Sequence, residues 1–153
     1  MHCYKTLVRP ILEYVSTVWD PHHQCDINAI ETVQRRSARR ICNDFSPFTS
    51  ASRLLANLGL EPLCARRRKD KAVLFHKIFH RKTPLNLPDA VRPVTRRNRG
   101  HENKLTLPRT NTEAHLHSFF PSSVRIWNSL PPEAAETLCI ETFSRIVSCV
   151  LKS

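Results

Sequence analysis

A chain of 153 residues, 41% hydrophobic and 7% aromatic, can build one ordinary core or a compact part with a tail, and is too apolar for general disorder. Two glycines against eleven prolines imply many rigid breaks and few left-handed turns, and so helices separated by proline-marked loops. The formal charge of +11 is uneven: residues 1–60 carry seven Lys/Arg against five Asp/Glu, 61–110 carry fourteen against four, and 111–153 carry three against four, which is +2, +10 and −1. A polyanion is the expected partner of such a middle segment, nucleic acid before an acidic membrane face. Cysteines at 3, 25, 42, 64, 139 and 149 form no Cys-x-x-Cys pair and follow no signal peptide, so reduced thiols in an intracellular chain are expected. No apolar run approaches the roughly 20 residues that span a bilayer, and no membrane partner is expected.

In "CYKTLVRPILEYVSTVW", Tyr4, Leu7, Val8, Ile11, Leu12, Val15, Val18 and Trp19 fall on one arc at helical periodicity. Pro10 should bend or divide that helix. A second helix is expected after "DPHHQC", with Asp26 as its N-cap. Its buried stripe is Ile27, Ile30, Ala38 and Ile41, with Arg35, Arg36, Arg39 and Arg40 opposite. "NDFSPFTS" ends it, and a short helix through Leu54, Leu55 and Leu58 stops at Gly59.

A longer helix runs from Pro62 to about Lys82. Leu74, Phe75, Ile78 and Phe79 give its second half an apolar face, while Arg66, Arg67, Arg68, Lys69 and Lys71 surround the axis of its first half. That half is not expected to be fully buried. Residues 83–111, with prolines at 84, 88, 93 and 108 and the basic "TRRNRGHENK", read as a linker with a short strand or hairpin near Lys104 to Leu107. A helix from about Pro121 should offer Phe119, Phe120, Val124, Trp127 and Leu130 to a core before Pro131 and Pro132 stop it. A last amphipathic helix carries Ile140, Phe143, Ile146, Val147, Val150 and Leu151. The expected fold is mainly α, a small helical bundle with a basic proline-rich loop and a C-terminal helical tail, organised as 1–82, 83–111 and 112–153.

Enzyme chemistry finds little support. The thirteen acids are scattered, no Asp-Asp pair exists for two-metal catalysis, and no Gly-x-Ser-x-Gly stretch or phosphate-cradling glycine loop occurs. His22, His23 and Cys25, the His76 and His80 pair, and the His115 and His117 pair are each incomplete zinc sets, so no metal or other cofactor is expected and a small zinc-binding module stays an alternative. Core packing suits Phe119, Phe120 and Trp127 better than base stacking. Arginine forks onto phosphate oxygens without reading bases, which leaves the basic helices as the candidate site.

Three stretches together carry a family likeness: "YKTLVRPILEYVSTVWDPH" at 4–22, "IETVQRRSARRI" at 30–41 and "SFFPSSVRIWNSLPPE" at 118–133. Supported by "LGLEPLCARRRKDKAVLFHKI" at 58–78 and "TRRNRGH" at 95–101, their order resembles the C-terminal part of the reverse transcriptase polyprotein of non-LTR, LINE-type (jockey-like) retrotransposons. The resemblance implies a region after the polymerase palm, a thumb-like helical element and downstream tail that grip the template and primer duplex, RNA or DNA, by its backbone. The family's paired catalytic aspartates match nothing here, so no catalytic residue carries over. The implied contacts are Arg35, Arg36, Arg39 and Arg40, then Arg66, Arg67, Arg68, Lys69 and Lys71, then Arg96, Arg97 and Arg99. The alternative is a structural element that packs against a polymerase domain. Cys139 stands where the family tends to place a helix-capping serine.

Overall fold

Helices dominate, as the scarcity of glycine and the 3.6-residue patterning require. The computed structural model describes residues 1–94, 103–107 and 109–151; the expected contacts Arg96, Arg97 and Arg99 lie outside them. Nine α-helices occur among the described residues: α1 (Arg9–Glu13), α2 (Ser16–Trp19), α3 (Gln24–Cys42), α4 (Ala51–Asn57), α5 (Leu63–Phe79), α6 (Glu113–His117), α7 (Phe119–Ser129), α8 (Pro132–Glu136) and α9 (Ile140–Val150). A π-helical turn, Tyr4–Val8, leads into α1. The ring of Pro10 crowds the carbonyl of Thr6, which widens the turn before it. The actual break lies beyond the proline, at Val15, whose φ of 49° is a left-handed conformation that a β-branched side chain seldom adopts.

Three helices end in the same closure. At α4, Leu60 N–H donates to the Leu55 carbonyl at 2.9 Å and Gly59 N–H to that of Ala56 at 3.0 Å, with Gly59 at φ 61°. The same pair of bonds closes α3 through Asn43 at φ 50° and α5 through Arg81 at φ 53°. With glycine scarce, asparagine and even arginine take the left-handed position.

The chain forms two compact units, Met1–Arg67 and Arg68–Ser153, and the boundary falls inside α5 rather than after residue 82. In unit 1, Tyr4, Ala38, Leu54, Leu55 and Leu60 form the core, flanked by Val8, Ile41 and Leu58. Most of the apolar arc at the N-terminus, for which the periodicity predicts burial, is instead exposed: Leu7 is 66%, Ile11 75% and Val18 73% accessible. In unit 2, Phe75, Val124, Trp127, Phe143 and Val147 are essentially fully buried, and Phe119 and Phe120 pack against their cluster. Trp127 is therefore a core residue.

The described residues of the 83–111 segment are not a linker, and here the expectation from proline content fails. Val91 and Leu105 are core residues of unit 2, joined by an antiparallel bridge between Pro93 and Leu105 in which Val94 N–H reaches the Lys104 carbonyl at 2.9 Å. The Asn128 side chain acts as a further strand partner, accepting from Leu105 N–H at 2.9 Å and donating to its carbonyl at 2.8 Å. Trp127 Nε1 donates to the Asn103 carbonyl at 2.8 Å. A proline-rich sequence hides this because the pairing is a single bridge completed by a side chain from a distant helix. Among the described residues no named strand forms, and no helix is long and apolar enough to cross a membrane.

Candidate nucleic-acid interface

The inner stripe of α3 is more polar than its isoleucines suggest. Glu31, Gln34 and Ala38 are its buried positions, while Ile27, Ile30 and Ile41 are half-buried. Gln34 connects three elements of unit 1: its Oε1 accepts from the Tyr4 hydroxyl at 2.8 Å and its Nε2 donates to the Glu61 carbonyl at 2.9 Å. Burial, reinforced by the negative charge of Glu13, pushes the Tyr4 phenol up to about 12. Glu31 accepts the N–H of Cys64 at 2.8 Å, satisfying an amide in the opening turn of α5 from another helix. Asp26 lies in the first turn of α3 and serves its dipole, whereas the cap position itself is His23.

The opposite face carries the arginines, and the structure separates them by role. Arg35, Arg36 and Arg40 are exposed, and among the described residues none has a carboxylate within ion-pair distance. Arg36 and Arg40, one turn apart, border a shallow depression of about 220 Å³ with Val33 and Ser37. Arg39 differs. Its Nη1 and Nη2 donate to the carbonyls of Ser46 and Thr49, both at 2.9 Å, so it clamps the loop after α3 instead of facing solvent.

The second expected cluster divides more sharply. Arg66 forms a two-pronged pair with Glu13, its Nη2 lying 3.1 Å from Oε2 and its Nε bonded to Oε1. Arg67 is fully buried and donates through Nε to Asp20 Oδ1 at 2.9 Å, and Lys71 is 4% exposed. This half of α5 is not fully buried, as expected, since Arg68 is exposed, but Arg67 and Lys71, on the side that continues the apolar stripe, are buried. Acidic residues on the N-terminal segment compensate both charges: Glu13 pairs with the half-buried Arg66, and Asp20 pairs through Nε with the buried Arg67, whose Nη1 and Nη2 make no hydrogen bond among the described residues. The sequence signal of this pairing is two isolated acids on an otherwise apolar stretch. Of the cluster, Arg68 alone is exposed, and Lys69 is half-buried. Arg53, exposed on α4, belongs to no basic run and carries no sequence signal of its own.

The histidine and cysteine sets weighed as incomplete zinc ligands have the following surroundings. The rings of His22 and His23 lie 4.0 Å apart, and the Cys25 thiol is directed at Asp26 Oδ1 at 3.7 Å. In unit 2 His76 is buried and stacks on Phe143 at 4.3 Å, and its Nε2–H donates to the Thr137 carbonyl at 2.7 Å. Burial lowers the pKa of His76 and of the less deeply packed His80, with the charge of Lys82 acting in the same direction. Comparison of the chain with protein-family models, curated proteins and solved structures finds no match.

Proposed function

We propose that the chain is a nucleic-acid-binding module without chemistry of its own, which holds a template and primer duplex, RNA or DNA, through phosphate contacts, in the manner of the region after the palm of a retrotransposon reverse transcriptase. The observation that carries this reading is the outward row Arg35, Arg36 and Arg40 on one 19-residue helix, charged and without carboxylate partners among the described residues. Guanidinium groups so placed neutralise phosphates and release counterions. Arg68 contributes a further exposed cation, whereas Arg39, Arg66 and Arg67 serve the fold.

Fluorescence anisotropy with a labelled RNA–DNA hybrid across a salt titration tests it. The native chain should bind with a steep negative dependence on log salt. Alanine at Arg35, Arg36 and Arg40 together should reduce that slope by about two to three, near 0.9 for each phosphate no longer neutralised. An unchanged slope removes the α3 row from the interface.

A second reading, a packing element that needs a polymerase domain against it, is favoured by one observation, the exposed Leu7, Ile11, Tyr14 and Val18. Light scattering at high salt separates the two. Self-association that persists when charge is screened supports the packing role; a monomer supports the binding module.

A further inference from the structure

Unit 1 contains a second feature beside the arginine row. A cavity of about 350 Å³ lies between α3, α4 and the start of α5, at the small end of the range of about 300–1,000 Å³ for small-ligand pockets. Burial defines its parts. Leu55 and Leu60 are buried and form its floor, Glu31 at 6% exposure supplies an inner wall, and the exposed Asn28, Arg35 and Ala56 are its rim.

We infer that this cavity seats an unpaired nucleobase bearing an exocyclic amino group, cytosine, adenine or guanine in preference to uracil, from the strand whose phosphates the α3 arginines hold. The inference rests on the nucleic-acid reading above and adds a base-selective site to it. Three features fit. Glu31 is a buried acceptor that takes the Cys64 N–H on Oε1 at 2.8 Å and also the Cys64 thiol, while a carboxylate offers about four lone-pair sites. A ligand entering here must therefore bring donors, and an amino group does so. Uracil offers that carboxylate only its N3–H, flanked on both sides by carbonyl oxygens that repel it.

Asn28 accepts from Gln24 Nε2 through Oδ1 at 3.1 Å, which leaves its Nδ2 as a donor on the cavity rim for a ligand's ring acceptors. Arg35 follows Glu31 by one helical turn on the same rim, a cation placed where the phosphate of a seated nucleotide leaves the cavity. The apolar floor supplies the faces against which a base lies when no aromatic ring is present. Cys64, its thiol pushed up by burial and by Glu31, is a neutral wall group rather than a nucleophile. A helical peptide is a poor occupant, because it needs a groove several turns long to anchor i, i+3, i+4 and i+7 side chains.

The test compares binding of the full chain to labelled single-stranded oligo-rC, oligo-rU and a blunt RNA–DNA hybrid at one salt concentration. Oligo-rC should bind at least about fivefold more tightly than oligo-rU, the low end of what one specific base contact yields. Ala56→Phe, which fills the cavity from an exposed position on α4, should erase that preference while leaving hybrid affinity and its salt slope within about twofold. Glu31→Gln, which keeps an oxygen for Cys64 N–H but adds a donor, should move the preference toward oligo-rU. Equal affinity for oligo-rC and oligo-rU with hybrid binding intact overturns the pocket alone, as does an Ala56→Phe chain, still helical by circular dichroism, that loses all three ligands equally. Failure of the native chain to bind the hybrid at low salt overturns the interface and the pocket together.

Discussion

The two units reach stability by different means. Unit 2 buries large rings: Phe75 and Trp127 meet at 5.6 Å, Trp127 and Phe143 at 6.0 Å, and Val124 and Val147 fill between them. Unit 1 has a thin apolar cluster and an interior wired by polar groups, with Gln34 between Tyr4 and Glu61, Glu31 on Cys64, and Arg67 on Asp20. Apolar burial scales with area and tolerates imprecision, whereas a buried ion pair or amide depends on each partner being present. Unit 1 should accordingly be the part in which single polar substitutions matter most, and it is also the part that carries the candidate interface.

That contrast can be broken most forcefully in the rings. Trp127→Ala should cost about 3–5 kcal/mol in unit 2, the usual penalty for emptying a buried tryptophan site, read as loss of amide protection across α7 and α9 by hydrogen exchange. A cost below about 1 kcal/mol would mean that the aromatic cluster is not its core. In unit 1 the equivalent change is ionic. Arg67→Ala removes a fully buried guanidinium from its ion pair with Asp20 and should cost about 3 kcal/mol, seen in the protection of α3, while Arg67→Met combined with Asp20→Leu should restore much of the loss because both charges of the pair are replaced by apolar groups. If the double variant is as unstable as the single one, packing and not charge governs the site.

Acid should act on unit 2 in the opposite sense to its apolar character. His76 and His80 have folded pKa values lowered below their ordinary 6.5, by burial first and then by neighbouring charge, including Lys82. The unfolded chain then binds protons more readily, so their contribution is complete above pH 6.5 and declines as the pH falls through the folded values. Thermal unfolding followed from about pH 7.5 to about pH 5 should show Tm dropping, with His76→Phe flattening the slope. A slope unchanged in that variant assigns the effect elsewhere. The smallest expected change is a gain: Arg81→Gly relieves a left-handed arginine at the end of α5 and should add about 1 kcal/mol, measured as a shift in the denaturation midpoint. Alanine there should give no such gain.

The helices are legible in the sequence where side chains repeat with the helical period, as along α5, α7 and α9, and Gly59 marks its closure openly. Other features are hidden for local reasons. The bridged positions at 91–94 and 103–107 have no pattern of their own, since Asn128 completes the hydrogen bonding of Leu105 from another helix. The N-terminal apolar arc suggests burial, yet periodicity reports only that a face is apolar, not that something covers it. In the arginine runs, the residue types are evident and their division of labour is not. Arg35 and Arg39 differ in role because the carbonyls of Ser46 and Thr49 come within reach of one and not the other.

By itself the sequence determined the helical class and the uneven positive charge, because these follow from composition and short-range periodicity. Only the tertiary structure decided which cations are available to a ligand. An arginine is a surface charge or a structural bond according to whether a carboxylate or carbonyl distant in sequence meets it, as Glu13 and Asp20 meet Arg66 and Arg67 across 53 and 47 residues, and no local pattern encodes that meeting.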